Sequence, residues 1–169
     1  MKALVVYFSL TGRTKRVAEV IAAKLGNYDV DIEGITFTGT RHDLINGTVD
    51  SIAAGNWVKL NAKETIFDLA RYDLVCIGMP IHGGRPAVVF NAYVKRCNGL
   101  AGNRVCTFVT CRFYAGNSLP AMKESLEGLG AVVGDQAVFR GLFKIGTGQA
   151  AEFGKKMNGS QEPACSNPD

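Results

Sequence analysis

Residues 3–14, Ala3-Leu4-Val5-Val6-Tyr7-Phe8-Ser9-Leu10-Thr11-Gly12-Arg13-Thr14, decide how the rest of the chain is read. The first six form an almost unbroken apolar run, the pattern of a parallel strand buried on both faces. After the loop, Val17, Val20, Ile21 and Leu25 recur at helical spacing, and Gly26-Asn27 closes the helix. Strand, loop and helix therefore follow one another directly. Backbone N–H groups at the start of such a helix lack intrahelical partners and sit at the positive end of its dipole. They bind an anion readily. Ser9, Thr11 and Thr14 add hydroxyls, and Gly12 lets the backbone approach closely. The stretch reads as a phosphate cradle; the competing reading is an ordinary strand-to-helix turn with a threonine capping the helix. It is neither G-x-x-x-x-G-K-[ST] nor G-x-G-x-x-G.

Downstream, residues 28–35 alternate apolar Val30, Ile32 and Ile35 with acidic Asp29, Asp31 and Glu33, which predicts a second strand near a sheet edge. A β-α-β unit implies a parallel, right-handed crossover. Over 36–61 glycines interrupt the pattern, and a short helix is possible over 43–54. Asn61-Ala62-Lys63-Glu64 has capping-box spacing and predicts a helix to about residue 70, with Ile66, Phe67 and Leu69 facing inward. Residues 73–79 predict a third strand, followed by a loop of turn-formers, Pro80-Ile81-His82-Gly83-Gly84-Arg85-Pro86. A helix over 87–96, a strand over 104–111, a loop over 112–118 and a helix over 119–129 come next. A fifth strand over 131–140 and a last helix over 149–157 complete the pattern. Alternating strands and helices predict an α/β fold with an open, doubly wound, five-stranded parallel sheet. In the strand order 2-1-3-4-5 the order reverses between strands one and three, and ligands bind there beyond the carboxyl ends. Loops 9–14, 79–86 and 111–118 would meet at that point.

At 169 residues the chain suits one domain, placed at 1–157, with a polar, flexible C-terminal tail at 158–169. Apolar residues make up 47% and charged ones 20%, and no apolar run approaches the roughly 20 residues of a membrane span. No signal-peptide pattern is present. The five cysteines include no C-x-x-C pair, which fits free thiols and a cytoplasmic protein. The two histidines, far apart, give no support to a zinc site. The net charge is +4, and the first 27 residues carry Lys2, Arg13, Lys15, Arg16 and Lys24 against Glu19. Basic residues gathered around one loop suit a small anionic ligand better than nucleic acid, which would want a basic stripe or aromatic platforms.

The first loop resembles the [ST]-x-T-G-x-T phosphate loop of flavodoxins, and the likeness runs over about residues 1–157. The chain is similar to short-chain flavodoxins in having no long insertion splitting the fifth strand. The resemblance implies a flavodoxin-like fold with strand order 2-1-3-4-5 and FMN as cofactor. It implies that Ser9, Leu10, Thr11, Gly12, Arg13 and Thr14 hold the phosphate. Pro80, Ile81, His82, Gly83 and Gly84 would lie on one side of the isoalloxazine ring, and Thr110, Cys111, Arg112, Phe113, Tyr114 and Gly116 on the other. In flavodoxins a glycine peptide near the flavin N5 flips on reduction, and its carbonyl then accepts the N5–H; Gly83 stands in that place. Independently of the family, a flat apolar ring edged with donors and acceptors needs an apolar or aromatic face on each side. Phe113 or Tyr114 can supply one, Ile81 and His82 the other. The alternative is a tight Gly-Gly turn and an aromatic pair packed on the sheet. Trp57 is open to stacking on the ring or to covering the core or sheet edge.

Two features depart from the family. His82 stands where many flavodoxins have a tryptophan. The stretches 9–18, 79–90 and 107–118 hold no Asp or Glu but do hold Arg13, Lys15, Arg16, Arg85 and Arg112, whereas electron-carrying flavodoxins are acidic. Cys111, near basic residues, is either an acidified thiol or a buried inert one. Three functions follow. The first is an FMN redox protein passing electrons singly between partner proteins. The second is an FMN enzyme taking hydride from NAD(P)H and reducing a quinone or similar small acceptor. The third is a flavin-free interaction module. None involves nucleic acid or a membrane.

Overall fold

The computed structural model describes residues 1–36, 65–141 and 146–159. Its strands are β1 (Lys2–Phe8), β2 (Asp29–Ile35), β3 (Leu74–His82), β4 (Arg85–Pro86), β5 (Arg104–Cys111) and β6 (Val132–Arg140). Its helices are α1 (Arg13–Ala22), α2 (Val89–Val94), α3 (Ser118–Glu127) and α4 (Thr147–Gly159). The five long strands pair in parallel in the order β2-β1-β3-β5-β6, which is the expected 2-1-3-4-5 arrangement. β4 is an addition, paired antiparallel with the end of β3.

The apolar run of β1 is explained by two cores. Leu4, Val6 and Phe8 point into one, with Phe90, Tyr93, Met122 and Leu126 of α2 and α3. Ala3 and Val5 point into the other, with Val17 and Ile21 of α1 and Ala150, Phe153 and Met157 of α4. Alternate residues of one strand thus feed opposite faces, and both faces are covered by helices. β2 is half-exposed at the edge of the described sheet, as its alternating acids predict. Its Asp31 carboxylate accepts from the Tyr72 hydroxyl at 2.7 Å and lies 3.0 Å from Lys2 Nζ, joining β2 to β1 and to the start of β3.

Two expectations are corrected. Residues 65–70 do not form the end of a helix; Asp68 bridges Asn98 in parallel, and backbone bonds tie Phe67 and Leu69 to Asn98. Leu69 is buried and Ile66 and Phe67 pack on the core, as expected, but a parallel bridge rather than a helix turns them inward. Phe67 lies against the Tyr93 ring at 5.7 Å, so tertiary contacts override the local capping signal. The loop 80–86 is mostly strand. β3 runs through Pro80 to His82, turns on Gly83-Gly84 and returns as β4. Both glycines have positive φ (58° and 76°), as a two-residue primed hairpin turn requires. The capping box at 61–64, the helix over 43–54, Trp57 and tail residues 160–169 lie outside the described residues. α4 itself runs to Gly159, past the expected domain limit at 157.

Candidate ligand cleft

The loops after β1, β3 and β5 meet at the carboxyl end of the sheet around a cleft of about 660 Å³. Leu10, Thr11 and Arg13 line it from the first loop. Pro80, Ile81, His82, Gly83 and Gly84 line it from the second, and Thr110, Cys111, Arg112, Phe113 and Tyr114 from the third. Thirteen of the residues singled out in the sequence are thus brought together. Ser9, Gly12, Thr14 and Gly116 are not among the lining residues.

Gly12 is the residue before α1, with φ 78°, a left-handed turn that no other side chain takes without strain. Its carbonyl accepts from Arg16 N at 3.0 Å, starting the helix. Thr14 is buried, and its hydroxyl is 2.8 Å from that of Thr110 at the end of β5, so it ties the first loop to the third. Gly116 lies against Gly84. Ser9 contributes a buried hydroxyl.

The first loop combines an uncapped helix start with unpartnered polar atoms. No side chain among the described residues caps α1, and its first turn holds no acid. The threonine-capped alternative therefore does not describe this turn. Ser9 Oγ and Arg13 Nη2 are buried and have no hydrogen-bond partner among the described residues. Buried polar atoms are nearly always partnered, so such a pair beside an uncapped helix start marks a place for a ligand acceptor. A phosphate supplies several acceptor oxygens and the charge that Arg13 and the helix dipole favour.

The other walls suit a flat ligand. Phe113 and Tyr114 are 75% and 76% exposed, although large aromatic rings gain from burial. Across the cleft, the β3–β4 hairpin presents half-buried Ile81 and His82. Cys111, 8% exposed, is a buried thiol; burial raises its pKa above the ordinary value, and Arg140 and Arg13 pull only partly the other way. The basic neighbours expected to acidify it are present, but desolvation outweighs them.

Sequence reading missed two contributors. Ser118, the first residue of α3, bonds across to the second loop. A serine beside a helix start reads as a cap, which hides such a contact. Arg140, at the end of β6, acts on Cys111 from a fourth strand end.

An open, doubly wound parallel sheet with a cleft where the strand order reverses has the architecture in which α/β sheets place their ligand crevices. More narrowly, the chain has the flavodoxin-like fold. No family model matches it. A flavoprotein of Lactobacillus acidophilus, in complex with FMN, superposes with a TM-score of 0.64 at 22% identity, covering 81% of this chain and 92% of that one. The flavodoxin of Streptococcus pneumonia TIGR4 gives 0.64 at 18% identity, with 96% and 100% covered. These likenesses concern the fold. In sequence, an NAD(P)H dehydrogenase (quinone) of Cupriavidus metallidurans is 30% identical over 105 residues, 59% of this chain. The chain spans about half the length of that curated relative, 48% being covered. Among the described residues no helix is long and apolar enough to cross a membrane, and no cluster of potential metal ligands occurs.

Proposed function

We propose that this protein binds FMN in the three-loop cleft and passes electrons between redox partner proteins. The observation that carries the reading is the pair of buried, unpartnered polar atoms, Ser9 Oγ and Arg13 Nη2, in an uncapped loop beside a cleft of flavin-compatible size. FMN joins a phosphate to a flat redox ring, and it alone supplies the electron chemistry when bound. The residues of this chain bind and orient it. Ser9, Thr11, Arg13 and the α1 backbone receive the phosphate. The β3–β4 hairpin and the Phe113-Tyr114 loop hold the ring from two sides and exclude water from part of it. Arg13 and Arg112, with no acid in the three loops, favour negative charge in the cleft and so favour the reduced, anionic ring.

A second reading, an NAD(P)H:quinone-type oxidoreductase, is favoured by the partial likeness to the quinone dehydrogenase and by the basic rim, which suits an anionic nucleotide. The compact single sheet and the absence of a separate nicotinamide fingerprint favour the carrier.

The test is a visible spectrum of protein incubated with FMN and desalted, then reduced stepwise without oxygen. Retained flavin bands, with a distinct long-wavelength band partway through reduction, are expected for a carrier. Direct bleaching by NADH or NADPH would move the assignment to the reductase. A colourless protein whose apo form also fails to take up FMN on titration would leave an interaction module.

A further inference from the structure

The second and third loops touch backbone to backbone. A Cβ on Gly116 would fall 2.2 Å from the Gly84 carbonyl oxygen and 2.6 Å from its Cα, so only glycine allows the approach. Beside this contact Ser118 is fully buried. Its Oγ lies 3.1 Å from the Gly84 carbonyl oxygen and 2.6 Å from that of Ala115. A serine hydroxyl has one proton and donates it to one carbonyl at a time. The Ala115 carbonyl also accepts the Ser118 backbone N–H at 3.3 Å, so it stays bonded when the hydroxyl turns to Gly84.

We propose that Ser118 is a positioning residue. Its one proton is shared between the Ala115 carbonyl of the third loop (2.6 Å) and the Gly84 carbonyl of the β3–β4 turn (3.1 Å). This clamps the turn against that loop and sets the gap between the two walls of the cleft. The geometry of the turn makes the clamp selective. Rotation of the Gly83–Gly84 peptide changes ψ of Gly83 and φ of Gly84 but leaves the Gly84 carbonyl in place. The clamp therefore fixes the far side of the turn and leaves one peptide, flanked by two glycines, free to reorient toward a bound ring. That last role rests on the FMN reading; the clamp is a property of the ligand-free protein.

The test compares Ser118→Ala, Ser118→Cys and Ser125→Ala with the parent protein. Ser125 Oγ also donates to a carbonyl of α3, that of Ala121 at 2.9 Å, away from the cleft, and controls for loss of a helix hydroxyl. Amide hydrogen exchange over residues 82–86 of the ligand-free proteins is read first. Ser118→Ala should speed it about two- to tenfold, the weight of one lost hydrogen bond. Ser118→Cys, isosteric with a weaker donor, should fall between, and Ser125→Ala should match the parent. Dissociation constants for riboflavin and FMN are read second. Ser118→Ala should weaken both by the same factor, because the ring and not the phosphate is affected. Unchanged exchange over 82–86 in both Ser118 variants, or an equal rise in Ser125→Ala, would overturn the clamp. A parent protein that binds neither flavin would end the FMN reading while the exchange data still decide the clamp.

Discussion

Removing the Ser9 hydroxyl should move stability and binding in opposite directions. Ser9 Oγ is buried with no hydrogen-bond partner among the described residues. An unmade bond at a buried polar atom costs about 1–3 kcal/mol. Ser9→Ala deletes that atom, and part of the gain is offset by the contacts it made in the packed loop. A net stabilisation of the ligand-free protein of about 0.5–1 kcal/mol is expected, a rise in Tm of roughly 1–4 °C for a chain of this size. The same hydroxyl, given a phosphate oxygen, makes a charge-assisted bond of about 1.5–3 kcal/mol. Its loss should weaken FMN about 10- to 150-fold and leave riboflavin unchanged, since riboflavin lacks the phosphate. Differential scanning calorimetry without ligand and fluorescence titration with both flavins measure the two halves. A ligand-free Ser9→Ala protein that is less stable by 1 kcal/mol or more would show that the hydroxyl serves the fold, and the reasoning would be wrong. Equal losses for both flavins would remove the phosphate from the first loop.

Other outcomes follow from single contacts. A Cβ on Gly78 would lie 2.0 Å from Cζ of fully buried Phe108, so Gly78→Ala should destabilise by about 1–3 kcal/mol in urea unfolding, and adding Phe108→Leu should recover part of the loss. Thr14→Val removes the buried bond to Thr110 and should cost about 1 kcal/mol in the same assay, with or without FMN; a loss confined to FMN affinity would make Thr14 a phosphate ligand instead. The Asp31 pKa is lowered, first by the Tyr72 hydrogen bond and then by Lys2. A depressed carboxyl stabilises the fold above its unfolded pKa of about 3.9 and loses that contribution as pH falls through the lower folded value. Asp31→Asn should therefore flatten the acid limb of stability below about pH 4 and leave its slope near neutrality unchanged. Burial pushes the Cys106 thiol up to about 11 and raises that of Cys76 as well, so peptide mapping after iodoacetamide at pH 8 should find both unmodified until the protein is denatured.

The sheet was legible because its signals are local and strong. β1 is an almost unbroken apolar run, β5 is rich in β-branched residues and β2 alternates, so the elements and the right-handed parallel crossovers follow from local pattern. The strand order 2-1-3-4-5, and with it the meeting of the three loops, comes from the resemblance to flavodoxins. The hairpin was not seen, although Gly83-Gly84 between paired positions is a primed-turn signal. Pro80 and Pro86 at its two ends masked it, because prolines read as breakers. Pro86 is tolerated since β4 is a two-residue strand paired on the side of β3. The segment at 65–70 misled for the opposite reason. Its capping box is a local signal, while its true conformation is set by Asn98 and Tyr93, nearly thirty positions away in sequence. Thr14 reads as a ligand hydroxyl from its place in the motif, and its pairing with Thr110 across 96 positions is visible only in the folded structure. Local grammar carries the elements; contacts across the chain decide which polar groups remain free for a ligand.

The uncapped start of α1 also bears on how much of this protein a cell retains. With Gly12 at its N-cap, α1 forgoes roughly a few tenths of a kcal/mol relative to a serine or aspartate cap. With FMN bound as proposed, the ligand takes over that role, and at a free concentration one hundred times Kd it adds about 2.7 kcal/mol to the folded state. Since the opened population sets the rate at which proteases remove a chain, cofactor-starved copies would be cleared about a hundredfold faster than loaded ones. Steady-state abundance would then track flavin supply with no transcriptional control.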